Sequence, residues 1–181
     1  MSDKFKPRPV KIRPVFPIAD DGVVDFEVID CIPQGPDCNV TDDTELGIDV
    51  IEIVGEESRI LFPTTSSMPF LVIHIKNIVR FLSFEIIFKD SENKTRKITF
   101  SNKRSTAVID GDIAHLPLEV GDGWQYINMN FDDMSFRCFG TEPKMVKEIC
   151  INGSCRVAKI FFQEECYADV ELPPFLRVIN E

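Results

Sequence analysis

The sequence predicts a mainly β fold, an antiparallel β-sandwich or jelly roll with one short α-helix and an extended N-terminal tail. Three observations predict it. Short runs of Val, Ile, Phe and Thr, which suit a half-buried pleated surface, recur at near-regular spacing. Turn chemistry separates them, at Asp90-Ser91-Glu92-Asn93, Gly121-Asp122-Gly123 and Asn152-Gly153. The chain holds fifteen Phe against one Trp and two Tyr, a balance that suits a core better than a wet binding face.

The elements follow in chain order. Residues 1–22 read as the tail, because Pro7, Pro9, Pro14 and Pro17 disfavour helix before them and donate no backbone hydrogen bond. Residues 23–181 read as one β domain. Val23 to Ile29 opens it with apolar and acidic residues by turns, and Pro33 to Asn39 is a loop by composition. Leu46 to Val54 alternates like a strand, and Arg59 to Phe62 is a short strand ended by Pro63. Phe70 to Lys76 is a rich β-former run. Phe84 to Phe88 and Arg96 to Phe100 flank the Asp90 loop as a hairpin. Ile113 to Val120 and Trp124 to Phe131 flank the Gly121 turn, which places Trp124 at a strand start. Val146 to Ile151 and Ser154 to Phe162 flank Asn152-Gly153, the clearest hairpin signal in the chain. One helix is expected between, capped by Asp132 or Asp133 and carrying Met134, Phe136 and Cys138. Gly140 sits where a left-handed closing residue belongs, and Pro143 prevents resumption.

Composition excludes several functions. A formal charge of −10 opposes nucleic-acid binding, which needs a net basic face. No run of 18 apolar residues exists to span a membrane, and the Lys/Pro-rich opening lacks the apolar centre of a secretory signal. The six Cys are therefore expected as thiols. His74 lies in an apolar strand and His115 precedes Leu116-Pro117, so both read as structural rather than catalytic. Nucleophile-elbow, phosphate-loop and dinucleotide patterns do not occur. Cys31 and Cys38, or Cys150 and Cys155, lack the close spacing of a zinc knuckle, although Cys150 and Cys155 would face each other across the expected hairpin. Asp42-Asp43 and Asp132-Asp133 lack the glycine and spaced glutamate of a calcium loop. No catalytic residue, metal or cofactor is expected.

Charge distribution is more informative than charge. Lys4, Lys6, Arg8, Lys11 and Arg13 crowd the first thirteen residues, against Asp3 alone. Residues 14–58 then hold thirteen acids and no Lys or Arg. A second basic stretch contains Lys89, Lys94, Arg96, Lys97, Lys103 and Arg104. A charge run is usually a solvated face. As a functional feature, the tail cations, with Lys94, Arg96, Lys97, Lys103 and Arg104, are candidate contacts for an acidic polymer surface.

The order of short motifs points to a family. Pro69-Phe70-Leu71-Val72, Ile75-Lys76-Asn77, Phe84-Glu85-Ile86, Phe100-Ser101-Asn102, Asp122-Gly123-Trp124, Phe139-Gly140-Thr141, Cys155-Arg156 and Glu171-Leu172-Pro173 together resemble the cilia- and flagella-associated protein 20 family. Upstream, Val40-Thr41-Asp42-Asp43, Ile51-Glu52-Ile53 and Gly55 fit that family's strand pattern more weakly. The resemblance implies a non-enzymatic β-sandwich, shaped like a carbohydrate-binding module, in the cytoskeleton of the ciliary or flagellar axoneme. It implies a place on doublet microtubules at the inner junction between A- and B-tubules, with tubulin and the parkin co-regulated gene product as partners. The competing class is a carbohydrate-binding ligand module, for which Trp124 and Tyr126 would form the platform. Three departures stand out: no tryptophan in the upstream strand, a Lys/Pro-rich opening, and an acidic chain where the family tends to be basic. The resemblance therefore implies either a diverged inner-junction member or a paralogue placed elsewhere in the axoneme or centriole, with other axonemal proteins as alternative partners.

Overall fold

Two strands of 21 residues organise the molecule: Phe70–Asp90, here called β6, and Pro143–Gln163, called β11. The computed structural model describes residues 9–17, 26 and 30–178. Around the central pair lie β1 (Ile12–Phe16), β2 (Ile32–Gln34), β3 (Cys38–Asp43), β4 (Ile48–Ile53), β5 (Arg59–Ser66), β7 (Thr95–Ser101), β8 (Val108–Asp110), β9 (Ile113–Pro117) and β10 (Trp124–Asn130). The backbone ladders join all of them into one 11-stranded sheet with the path β2-β5-β11-β6-β7-β9-β8. β1 and β4 add to β11, β10 adds to β6, and β3 pairs with β4. The mainly β expectation holds, and the sheet is mixed because β7 and β9 run parallel, Lys97 opposite Ile113 through Ser101 opposite Pro117.

A sheet this large with one short helix must bury its apolar face against itself. One contiguous core does so, with Phe16 of β1, Ile53 of β4, Phe62 of β5, Leu71, Phe84 and Phe88 of β6, Ile98 of β7 and Phe162 of β11. Each Phe so buried contributes roughly 1.5–3 kcal/mol. Phe84 stacks on Phe100 at 4.5 Å, and Phe88 meets Phe131 edge-on at 4.9 Å. A smaller cluster on the other face of the central pair joins Val72 and Phe161 to Leu172 and Leu176. It ties down the C-terminal segment, which includes two 3-10 turns, Asp169–Glu171 and Pro174–Leu176.

Several expectations need correction. The expected hairpin at Asn152-Gly153 is absent, because β11 runs straight through both residues. Both flanks pair with β6, and Gly153 marks a bulge instead of a turn. Gly153 faces Leu82 and Cys155 faces Asn77, so Ser154 alone opposes four residues of β6. Gly153 has φ +102, and a Cβ there would lie 2.1 Å from the Phe81 carbonyl oxygen. Only glycine fits that approach. Cys150 and Cys155 therefore lie on one strand rather than across a turn, both as free thiols. The expected loop from Pro33 to Asn39 is narrower, since β2 reaches Gln34 and β3 begins at Cys38.

The tail expectation meets β1. Ile12–Phe16 pairs with β11, and Val15 and Phe16 are buried in the core. Residues 1–8 and 18–22 lie outside the described residues, as does the expected opening strand from Val23 to Ile29 except for Phe26, which packs on the core. The helix, α1, spans Phe131–Phe139. Its cap is Asn130 rather than Asp132 or Asp133: the Asn130 side chain accepts the Asp133 N–H at 3.1 Å. β10 hands directly into α1, so the two aspartates fall in the first turn, where they complement the helix dipole. Gly140 closes the helix at φ +71, donating its N–H to Phe136 at 2.8 Å.

Candidate interaction surface

Alternation along β7 sorts the second basic stretch. Arg96, Ile98 and Phe100 point to the core and are buried, whereas Lys97, Thr99 and Ser101 face outward. Arg96, a candidate contact by sequence, is thus removed from the surface. Its Nε donates to Asp90 at 2.8 Å and its Nη1 to Asp112 at 2.6 Å, and its guanidinium lies 4.9 Å over the Phe139 ring. Asp90 is fully buried, and Thr141 also donates to it, at 3.0 Å. Burial alone would raise the Asp90 pKa, but hydrogen bonds from Arg96, the Lys94 N–H and Thr141 outweigh it and hold the group at about 2.

The other candidates keep their heads in solvent, and most have acidic neighbours. Lys94 lies 3.6 Å from Glu92, Lys97 3.5 Å from Glu85 and Lys11 3.3 Å from Glu164. Lys103 pairs with Glu56 and lies 4.6 Å over the Phe81 ring. Arg13 is exposed on β1 and borders a 300 Å³ recess with Asp30 and Thr64. Lys4, Lys6 and Arg8 lie outside the described residues. β1 flanks β11 and β7 flanks β6, so Lys11 and Arg13 lie on the opposite side of the central pair from the second stretch. What the fold does bring together is Lys103, Arg104 and His115. They share a 480 Å³ groove with the hydroxyls of Ser83, Thr99, Ser101, Ser105 and Thr106. Such a groove, with Phe81 as its apolar wall, offers cations and hydrogen-bond donors to an anionic partner.

A polar row on the outer face of the central pair has no counterpart in the motifs or charge runs of the sequence. Tyr126, His74 and Lys159 stand opposite one another across β10, β6 and β11. A bulge at Ala158 turns Lys159 away from the core to reach that position. His74 is 2% exposed, with ring centroids 5.0 Å from Trp124 and 6.3 Å from Tyr126. Burial, then the nearby Lys159 ammonium, lowers its pKa to about 4, so the ring is neutral at pH 7. Lys159 donates to the Arg177 carbonyl, and burial lowers its pKa. Trp124 and Tyr126 thus pack on His74, tilted at 52° and 58°, rather than lying side by side as an open ligand platform.

Beside this row Arg156 clamps the β3–β4 hairpin to β11. Its Nη1 donates to Asp43 at 2.9 Å and its Nε to Glu52 at 2.7 Å. Burial would raise the Asp43 pKa, but Arg156 and the Leu46 N–H lower it further. The buried Trp124 indole nitrogen closes no hydrogen bond with protein. Arg156, from one of the motifs that carry the family resemblance, thereby anchors two neighbouring strands. Among the described residues no three His, Cys, Asp or Glu side chains converge as a metal site, and no helix is long and apolar enough to cross a membrane.

Comparison with known proteins identifies the family. The family model described as the CFA20 domain matches residues 22–180. The protein named cilia- and flagella-associated protein 20 from Paramecium tetraurelia is 30% identical over 145 residues, which cover 75% of this chain and 76% of that one. Its namesake from Chlamydomonas reinhardtii is 29% identical over 140 residues, 72% of this chain and 74% of that one. The Caenorhabditis elegans namesake is 28% identical, covering 72% and 69%. Among solved structures, the glycoside hydrolase domain of Endo-D from Streptococcus pneumoniae R6 overlaps 76% of this chain and 22% of its own, with a TM-score of 0.39 and 7% identity, too slight a likeness to bear on function. By the match along nearly its whole length, the chain belongs to the CFA20 domain family, whose named members are cilia- and flagella-associated proteins.

Proposed function

We propose that this chain is a structural, non-catalytic component of the ciliary or flagellar axoneme that binds doublet microtubules, at the inner junction between A- and B-tubules. Tubulin is the expected primary partner, with the parkin co-regulated gene product as a neighbour. The observation that carries this reading is the family match over residues 22–180. Two features support it. The buried carboxylates Asp90 and Asp43 are each taken up by an arginine in a structural pair. The exposed cations Lys11, Arg13, Lys94, Lys103 and Arg104 and the half-exposed Lys97 lie on two flanks of a sheet held by a fully buried core, and Lys4, Lys6 and Arg8 extend the first flank in sequence. Each exposed ion pair contributes only about 0.2–1 kcal/mol, but repetition along a polymer multiplies weak contacts. In domain terms, 1–22 is an arm and 23–181 the sheet domain, with β1 of the arm docked on β11.

Co-sedimentation with microtubules tests the reading. The full chain is expected to pellet, deletion of residues 1–20 to weaken pelleting, and a Lys103→Glu/Arg104→Glu variant to weaken it again. Equal pelleting of the full and shortened chains removes the arm from the interface. No pelleting of the full chain ends the microtubule reading.

A further inference from the structure

We propose that Thr106 is a phosphoryl acceptor for a protein kinase that prefers basic substrates, and that the added phosphate switches off the cationic groove. The second half rests on the microtubule reading above; the first half does not.

The sequence contains two places where two adjacent cations precede a threonine by three and two positions: Arg96-Lys97-Ile98-Thr99 and Lys103-Arg104-Ser105-Thr106. Kinases of this class read such cations through acidic subsites, and they need the segment extended and free to enter a cleft. The fold makes one copy usable and the other not. Thr99 lies inside β7 with ladders on both sides, opposite Glu85 of β6 and His115 of β9. Its leading cation, Arg96, is buried between Asp90 and Asp112. Lys103 through Thr106 are all exposed. Asn102 anchors the segment, its Oδ1 accepting the Leu82 N–H at 2.9 Å and its Nδ2 donating to the Arg80 carbonyl at 2.8 Å. Beyond the Arg104 N–H, which donates to the Ser101 carbonyl at 3.3 Å, no backbone bond ties residues 105–107 among the described contacts until β8 begins at Val108. The Lys103 side chain is held by an exposed pair with Glu56 and by the Phe81 ring beneath it, surface contacts that a kinase subsite can replace at small cost.

The step balances with ATP as donor. The Thr106 hydroxyl oxygen bonds to the γ-phosphorus, the bond to the β-phosphate oxygen breaks, ADP leaves, and the hydroxyl proton passes to the kinase's catalytic aspartate. The product carries about −1.5 to −2 charge. It stands in the groove that Lys103, Arg104 and His115 line. The phosphate therefore occupies the cations from within and turns the groove from attractive to repulsive for an acidic partner.

The test uses the full chain, ATP and the catalytic subunit of the cAMP-dependent protein kinase, with the phosphate mapped by mass spectrometry. Phosphate is expected on Thr106. Thr106→Ala should lower incorporation about tenfold, Arg104→Gln comparably, and Thr99→Val not at all, in line with subsite charge pairing. Unchanged incorporation in Thr106→Ala, or phosphate mapped to Thr99, overturns the acceptor assignment. In the second arm the Thr106-phosphorylated chain should pellet with microtubules about fivefold more weakly than the unmodified chain, the loss expected from one or two reversed contacts. Equal pelleting overturns the switch. Failure of the unmodified chain to pellet overturns the microtubule reading, and the mapped phosphate still decides the acceptor.

Discussion

At the residue scale, two buried ionisable groups set how stability depends on pH, and they act in different windows. The folded pKa of His74 is about 4, below the usual 6.5. Between those values the unfolded chain binds a proton that the folded chain does not, so stability rises with pH across the interval. The contribution of His74 is complete above about pH 6.5 and is lost as pH falls toward 4. Asp90, held at about 2, adds a second loss that begins below about pH 4. Urea melts from pH 7.5 to 4.5 are expected to show a falling midpoint, and His74→Phe should flatten that slope. A slope unchanged in His74→Phe would assign the effect to other groups. Arg96 gives a second prediction. Removing its guanidinium leaves Asp90 buried without its cation, so Arg96→Ala should lower the urea midpoint far more than Lys97→Ala, which loses one half-exposed pair with Glu85. Asp90→Asn combined with Arg96→Ala should recover part of the loss, the signature of a coupled pair. Equal midpoints for the two single variants would disprove the buried role. The fate of Arg96 was misjudged from the charge run, although it was legible in the alternation with Ile98 and Phe100. That of Lys159 was not, because its orientation depends on a one-residue bulge at Ala158 that no local pattern announces.

At the scale of elements, Gly153 shows what a local signal leaves out. Asn-Gly favours a two-residue turn when the flanking strands pair with each other. Here both flanks find β6 first, a partner long enough to pair along all of β11, and tertiary pairing overrides the turn. The glycine is still required, for close approach to the Phe81 carbonyl rather than for a reversal. Gly153→Ala should therefore destabilise by more than the roughly 1–3 kcal/mol of a strained backbone alone, because the β6 carbonyl must also move. Gly140→Ala, equally at positive φ but with open space where its Cβ would stand, should lose less. Thermal melts of the two variants check the order, and equal losses would show that contact with β6 does not matter. The same contrast explains which strands could be read in advance. β7 and β10 alternate cleanly and were legible, and so was the helix through Gly140 and Pro143. β1 was hidden because its prolines speak against pairing, yet Pro14 and Pro17 occupy an edge strand and the position just after it, where a missing N–H costs least. β3 was indicated only through the family resemblance at Val40-Thr41-Asp42-Asp43, and no local pattern announces that Asp43 is an acceptor for Arg156 and for the Glu45 and Leu46 N–H groups.

For the whole molecule, a net charge of −10 and the proposed attachment to an acidic polymer pull in opposite directions, and ionic strength decides between them. Docking contacts form at a few ångströms, where ions barely intervene, while the repulsion sums over the whole chain and reaches as far as the Debye length. That length is about 30 Å at 0.01 M salt, comparable to a small domain, so the full acidic surface is felt. Near 0.15 M it shrinks to about 8 Å, and only the groove with Lys103 and Arg104, and the arm with Lys11 and Arg13, remain within range of a docked partner. At 1 M it is about 3 Å, and the exposed contacts weaken in turn. Microtubule pelleting is therefore expected to pass through a maximum near physiological salt rather than to fall steadily from low salt, as it does for a basic protein. Lys103→Glu/Arg104→Glu should lower the maximum without moving the urea midpoint, because both side chains are exposed and outside the core. A monotonic decline with salt for the unaltered chain would mean that the basic arm alone governs attachment and that the acidic face never approaches the polymer.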